Sequence, residues 1–185
     1  MSRYRKKKRL RFYIGCEGQS EVAYVGLLLD LCEASGVTVA VESDDLSSGD
    51  PLSRVREAIR RIKHKEMDRE AFKGRFVLLD SDQADANVLK AQQAIQLADE
   101  NGVKLVWQRP CHEGLLLRHF AGHENDVPAN SALAERALRK AWLEYSKPMD
   151  KRELSKKIGI AELARVAAKT PELANLITTL GLELE

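Results

Sequence analysis

The sequence predicts an α/β protein with a mainly parallel sheet of about four strands, flanked by helices and followed by a helical C-terminal extension. Three observations lead there. The run LRFYIGC (10–16) is β-prone and mostly apolar, and the continuous apolar run RFVLL (75–79) has the pattern of a strand covered on both faces. Segments with helical spacing alternate with them, which calls for right-handed crossovers between parallel neighbours. Beyond Arg109-Pro110 the periodicity becomes helical and remains so.

In order along the chain, the first strand covers 10–16, and Gly18-Gln19-Ser20 supplies a turn with Ser20 as the expected helix N-cap. A helix over 21–33 follows, with Val22, Val25, Leu28, Leu29 and Cys32 at helical spacing and a stop near Gly36. Residues 37–41 predict a second strand, and the Ser/Asp/Gly-rich stretch 42–51 a loop. A second helix is expected over 52–67, and the third strand, 75–79, stops at Asp80-Ser81-Asp82. One helix over 85–101 ends at Gly102, and a fourth strand covers 103–107. Helices are then expected at 113–121, 131–144, 151–168 and 171–180. This gives a basic arm (1–11), an α/β core (12–125) and a helical extension (126–185) packed on it. No internal repeat or low-complexity segment breaks the pattern.

A chain of 185 residues with 44% hydrophobic content suits one sizeable core. Cys16, Cys32 and Cys111 lack CxxC spacing, which argues against a disulfide framework or a Cys-rich zinc module and for a reducing, cytoplasmic setting. No apolar run approaches the roughly 20 residues of a bilayer span, and the basic N-terminus has no signal-peptide apolar region, so a soluble protein without membrane contact is expected. The net charge of +2 hides an asymmetry: Arg3, Arg5, Lys6, Lys7, Lys8, Arg9 and Arg11 precede a body of net charge −5. The arm either contacts a nucleic-acid backbone, with Arg109 assisting, or is a solvated tail. Both readings stay open.

Two strands run into acids: Glu17 and Glu21 after the first, Asp80 and Asp82 after the third. In open parallel sheets, ligands sit outside the carboxyl ends of the strands, where strand order reverses. If the two strands are neighbours, the carboxylates converge there, and their repulsion is relieved by a shared cation or proton. A divalent ion such as Mg²⁺, which takes oxygen ligands and keeps several waters, suits such an incomplete shell. The competing reading has Asp80 and Asp82 simply capping the next helix and Glu21 serving the helix dipole. Two rival uses of the edge fit less well. Gly15 to Gly18 is not G-x-G-x-x-G, and its acid would repel a pyrophosphate. A receiver-type phosphoacceptor fold gives no reason for the long helical tail.

CEGQSE (16–21) and LLDSDQ (78–83) resemble the Toprim pattern, in which an acid after the first strand and a later DxD bind catalytic Mg²⁺. More closely, RPCHEGLLLRHF (109–120) followed by EYSK (144–147) resembles the RloB family, whose blocks run as an E-G-x-[ST]-E turn, a D-x-D strand end, an N-P-C-led segment and a Y-x-K. The ordered blocks cover 11 to about 150. The resemblance implies a small Toprim-like domain, encoded beside an ATPase of the ABC/OLD-nuclease type in restriction or phage-defence loci, with nuclease activity proposed. It also implies metal-site roles for Glu17, Glu21, Asp80 and Asp82, accessory roles for Glu113 and His119, and charge stabilisation by Lys147. The chain departs from the pattern in having Arg109 for its asparagine, His112 for its first aromatic residue, and Gly114 and Leu115 for the aromatic pair that follows the glutamate. These changes spare the carboxylates but alter their packing.

Read singly, these residues have plainer explanations. His112, His119 and His123 share a helical stripe, yet Gly122 interrupts it and no third strong zinc ligand accompanies them. His119 is a general base or a satisfied, half-buried histidine. Glu113 suits a first turn and Lys147, before Pro148, a helix C-terminus. Trp107 and Trp142 read as core or interface. The leading expectation is a nuclease dependent on Mg²⁺ or Mn²⁺, cleaving DNA or RNA with Glu17, Asp80 and Asp82 as metal ligands. The alternative is a non-catalytic metal- or nucleotide-binding subunit that contacts the ATPase through the stripe Leu133, Ala137, Leu138, Ala141 and Trp142. Self-association stays open in both.

Overall fold

The computed structural model describes residues 9–46 and 49–184, so Arg3, Arg5, Lys6, Lys7 and Lys8 of the arm lie outside the described residues. The order is β1 (Leu10–Cys16), α1 (Gln19–Ala34), β2 (Val39–Asp45), α2 (Pro51–Glu66), β3 (Gly74–Asp80), α3 (Ser81–Ala86), α4 (Val88–Glu100), β4 (Lys104–Gln108), α5 (His112–Leu117), α6 (Ser131–Ala141), α7 (Lys151–Ser155), α8 (Ile160–Ala167) and α9 (Pro171–Leu180). The described sheet is four-stranded and all parallel, in the order β2-β1-β3-β4. From β1 the chain steps to one side for β2 and to the other for β3. The switch point therefore lies between the carboxyl ends of β1 and β3, which pair from Phe12↔Gly74 to Gly15↔Val77.

Strand alternation divides the interior into two layers. Phe12, Ile14, Cys16, Phe76, Leu78 and Val106 face one side, in a cluster with Leu27 and Leu28 of α1 and Leu138, Leu154, Leu163 and Leu176 of the later helices. Tyr13, Val77 and Leu79 face the other, with Val55, Ile59 and Ile62 of α2 and Ala94 and Ala98 of α4. Helices thus cover both faces, as continuous apolar strands require.

Six elements differ from the expectation, and two of them simply end early, α5 at Leu117 and α6 at Ala141. β2 runs through the polar stretch Glu42–Asp45, because the ladder with β1 continues to Cys16↔Asp45 and basic side chains match its acids. Arg11 lies 2.8 Å from Glu42, and Lys65 lies 3.0 Å from Asp44. The helix expected over 85–101 is broken at Asn87, whose side chain accepts the Lys90 N–H at 3.1 Å and starts α4 anew. The helix expected over 151–168 divides at Gly159, whose N–H the Glu162 side chain accepts at 3.0 Å. α1 begins at Gln19 with Gly18 at the N-cap, so Ser20 sits inside the first turn.

Arg9 and Arg11 stand at the opposite end of β1 from Glu17. Arg11 is part of the fold, stacked 4.3 Å over the Phe72 ring and bonded to Glu42 and the Glu70 carbonyl. Arg9 is exposed beside Gly36–Val39 and Thr179–Gly181, away from the acidic edge. Among the described residues no helix is long and apolar enough to cross a membrane. All three cysteines are free and buried.

Candidate functional site

Asp80 ends β3 and stands at the N-cap of α3, yet its side chain makes no capping hydrogen bond among the described residues. Its Oδ1 is buried without a hydrogen-bond partner there. A carboxylate in that setting is costly, and burial raises its pKa to about 9, with Glu17, Glu21, Asp82 and Glu113 each adding to the rise. Asp80 is thus the electrostatic centre of the acids from β1, α1, α3 and α5. A residue that merely capped a helix would have a lowered pKa and a bonded side chain, so the plainer reading fails for Asp80.

Glu17 is fixed in place. Its Oε2 accepts the backbone N–H of Asp80 at 3.0 Å, joining the ends of β1 and β3 directly. Its Oε1 accepts Gln83 Nε2 at 2.7 Å and lies 2.9 Å from Arg54 Nη2. Arg54 Nη1 in turn donates to Gln83 Oε1 at 2.7 Å. Burial raises the Glu17 pKa, a rise the Asp80 N–H and Arg54 only partly oppose. Arg54 is positioned by the start of α2, where Pro51 opens the helix and Asp50 accepts the Ser53 N–H at 3.0 Å. Lys90 holds Asp50 at 2.6 Å, and these contacts bring the Asp50 pKa to about 2.

Asp82 lies in the first turn of α3. Its Oδ2 accepts the Ser131 hydroxyl, its Oδ1 is buried without a described partner, and its backbone N–H donates to the Pro110 carbonyl at 3.0 Å. Glu113, 3% exposed, gathers three donors: Tyr145 hydroxyl to Oε1 at 3.0 Å, Lys147 Nζ to Oε1 at 2.7 Å and Cys111 Sγ to Oε2 at 3.1 Å. Burial alone would raise its pKa, but Lys147 and Cys111 outweigh that and bring it to about 2. Glu113 is therefore ionised and already partnered, with Lys147 as its counter-ion.

The open side is a cleft of about 520 Å³ lined by Glu17, Gly18, Gln19, Ser20, Glu21, Asp45, Arg54, Asp80, Lys147 and Pro148. Glu21 is only 5% exposed but lines it. Asp45, at the end of β2, accepts Gln19 Nε2 at 2.7 Å across the cleft's rim. A carboxyl edge thus meets two cationic side chains in a space large enough for a small ligand or one end of a polymer.

Of the expected site residues, Glu17, Glu21, Asp80 and Lys147 line this cleft, and Asp82 and Glu113 lie behind it. His119 does not join them. It is fully buried, its Nδ1 lies 3.0 Å from the Leu115 carbonyl and its Nε2 3.0 Å from the Tyr24 hydroxyl, and burial brings its pKa to about 3. The carbonyl fixes a neutral ring with the proton on Nδ1, a bracing role under α1. His112 is also buried, 2.8 Å from Gln108. His123 pairs with Asp126 on the surface at 2.7 Å. Arg109 is on the site's edge of the sheet, 3.7 Å from Glu172.

Arg54, Gln83, Asp45, Ser131 and Tyr145 were not singled out from sequence. Arg54 offers a signal: a cation in the opening turn of α2 opposes the helix dipole, which points to an anionic partner elsewhere. Gln83 directly follows the DSD turn and Tyr145 sits inside EYSK, but neither position fixes a partner.

A family model described as RloB-like protein matches residues 12–179. The chain belongs to the RloB-like family. No curated protein and no solved structure that was compared with it matches. Within the matched residues, the stretch 109–120 comprises the turn after β4 and α5, with Gly114 at its tightest point. A Cβ there would meet the Arg109 carbonyl oxygen at 2.4 Å and Pro110 Cδ at 2.8 Å, so the glycine permits the approach of α5 to the turn after β4.

Whether these residues fit a divalent ion rests on Asp80 and Asp82. Each has a buried oxygen without a described partner, and Asp80 lies in the field of four further carboxyls. Both are hard oxygen donors of the kind Mg²⁺ takes. Among the described residues, no group of three or more His, Cys, Asp or Glu already stands in ligating arrangement, and both Glu17 oxygens are engaged by donors. A third ligand thus requires Glu17 to exchange Arg54 for the cation, or Glu21 to turn towards Asp80.

Proposed function

We propose that this RloB-like protein is a metal-dependent phosphodiester hydrolase, a nuclease acting on DNA or RNA from a Toprim-like arrangement. The observation that carries the reading is Asp80: a partly buried carboxyl with an unpartnered oxygen, raised to a pKa of about 9 by its surroundings and set at the sheet's switch point. Such a group is stabilised by a proton or a cation, and the cleft gives a cation access.

Asp80, Asp82 and Glu17 are the residues that would hold Mg²⁺ or Mn²⁺, with Glu21 in the cleft wall assisting. When bound, such an ion supplies Lewis-acid polarisation of a phosphoryl oxygen and lowers the pKa of a water molecule. Arg54 orients Glu17 and is placed to meet phosphate when that pairing loosens. Lys147, more than half exposed and anchored on Glu113, presents positive charge to a phosphate entering the cleft. Glu113 and Tyr145 fix Lys147 and the turn that carries it. An ABC/OLD-type ATPase partner in a restriction or phage-defence system belongs to the same proposal and rests on the family alone.

The test is Asp80→Asn in a cleavage panel of single- and double-stranded DNA and RNA with Mg²⁺ or Mn²⁺. The expected result is a loss of about 10²-fold or more, on the scale of removing one electrostatic contributor. Full metal-dependent cleavage by the variant would contradict the assignment.

One observation favours a second reading, a regulatory subunit that binds a metal or nucleotide without hydrolysis. Glu17, one of the acids lining the cleft, is already paired with Arg54. Absence of hydrolysis in either metal, together with co-purification with an ABC/OLD-type ATPase, would favour that reading.

A further inference from the structure

A second concavity of about 520 Å³ lies on the other flank of α3, beside β4. Its lining includes Trp107 at the end of β4, Arg109 just beyond it, Ser81 and Asp85 of α3, Ile95 of α4, and Val127. Trp107 is partly buried against the α2/α4 layer, giving the ring a fixed backing. Ile95 and Val127, 43% and 63% exposed, form an apolar rim. Arg109 is 59% exposed and 3.7 Å from Glu172, a surface pairing that costs little to exchange. Ser81 directly follows Asp80, so this concavity begins one residue from the centre of the acidic cleft.

We propose that this concavity holds an unstacked nucleobase of a single-stranded nucleic acid, with Trp107 as the stacking platform. The inference rests on the hydrolase reading and assigns its substrate class. Backed aromatic planes beside a positively charged side chain are how single strands are bound without sequence preference, since every base offers a π-face. Arg109 meets the adjoining phosphate. Ser81 and Asp85 offer acceptors to a ring N–H or an amino group on the edge of a base. A duplex keeps its bases stacked on one another and cannot present one here without extrusion. The mixture of one aromatic, one cation and a hydroxyl–carboxylate pair favours a base over an apolar peptide, which would use the rim alone.

The experiment is titration of the full chain with single-stranded oligo-dT, followed by tryptophan emission in EDTA so that no cleavage occurs, and repeated with the oligo-dT·oligo-dA duplex. The chain has two tryptophans, and Trp142 is only 3% exposed on the opposite layer, so it serves as an internal control. The single strand is expected to quench emission and the duplex to leave it nearly unchanged. Trp107→Phe removes the quenching and weakens binding about tenfold or more. Arg109→Ala weakens binding but keeps the quenching at saturation. Equal quenching in Trp107→Phe, equal quenching by duplex, or no quenching by the single strand overturns the proposal and leaves the patch to a protein partner. Quenching without hydrolysis in Mg²⁺ or Mn²⁺ sustains the base site and removes the hydrolase. Hydrolysis without quenching does the reverse.

Discussion

Arg54 Nη2 lies 2.9 Å from Glu17 Oε1, with the two side chains 5% and 11% exposed. The pair connects the start of α2 to the end of β1, and Gln83 joins it to α3. Removing the cation leaves a largely buried carboxylate among other acids. Arg54→Met is therefore expected to cost about 2–4 kcal/mol in urea unfolding, and the Glu17→Gln/Arg54→Met double variant to recover most of it. Mn²⁺ is expected to raise the Tm of Arg54→Met more than that of the wild type, because it supplies the missing positive charge. Additive losses in the double variant would show that the pair is not coupled.

Asp80 gives a pH dependence whose sign is fixed. Its folded pKa, about 9, lies above the unfolded value of about 3.8, so the folded state holds the proton more tightly. Its contribution to stability is therefore fully present below about pH 4 and is lost as pH rises towards 9. Asp80→Asn keeps the neutral form throughout. In metal-free buffer the variant should exceed the wild type by about 1–3 kcal/mol at pH 8 and by little at pH 4. Thermal unfolding at both values checks it, and a gap that does not widen with pH would refute it.

Glu113 behaves in the opposite sense. Its folded pKa of about 2 lies below the ordinary 4.5, so its contribution is present above the unfolded value and lost as pH falls towards 2. Tyr145→Phe removes one of its donors. The expected cost is about 1–2 kcal/mol at pH 7, shrinking in acid as Glu113 takes up a proton. Denaturant midpoints at pH 7 and near pH 2, where folded Glu113 begins to take up its proton, measure both parts.

Gly114→Ala places a methyl group against the Arg109 carbonyl and Pro110. The obstacle is backbone, so relief requires moving the turn that carries Arg109 and receives the Asp82 N–H. A loss of about 2–3 kcal/mol in Tm-derived stability is expected, with weakened Mn²⁺ binding if the metal site uses Asp82.

The strands were legible because their side chains are consistent with burial on both faces: RFVLL reads as a central strand, and β3 occupies that place. The acidic end of β2 was not, since Glu42 to Asp45 have loop composition and become strand only through the β1 ladder and the cations Arg11 and Lys65. The meeting of Glu17 with Asp80 was legible from two strand ends bearing acids. Arg54, contributed by a helix between them, was not, because its partner is fixed by tertiary placement. His119 stood between two readings in the sequence, a general base or a satisfied histidine, and the fold uses its two nitrogens for Tyr24 and Leu115.

In the proposed function, acids from separate strand ends share one divalent ion. Anomalous diffraction from Mn²⁺-soaked crystals tests it directly. The account predicts a single strong peak within coordination distance of Asp80 and Asp82 and beside Glu17, absent from Asp80→Asn crystals. A fully ordered cleft with no peak there, or a peak held only by acids elsewhere, would contradict it.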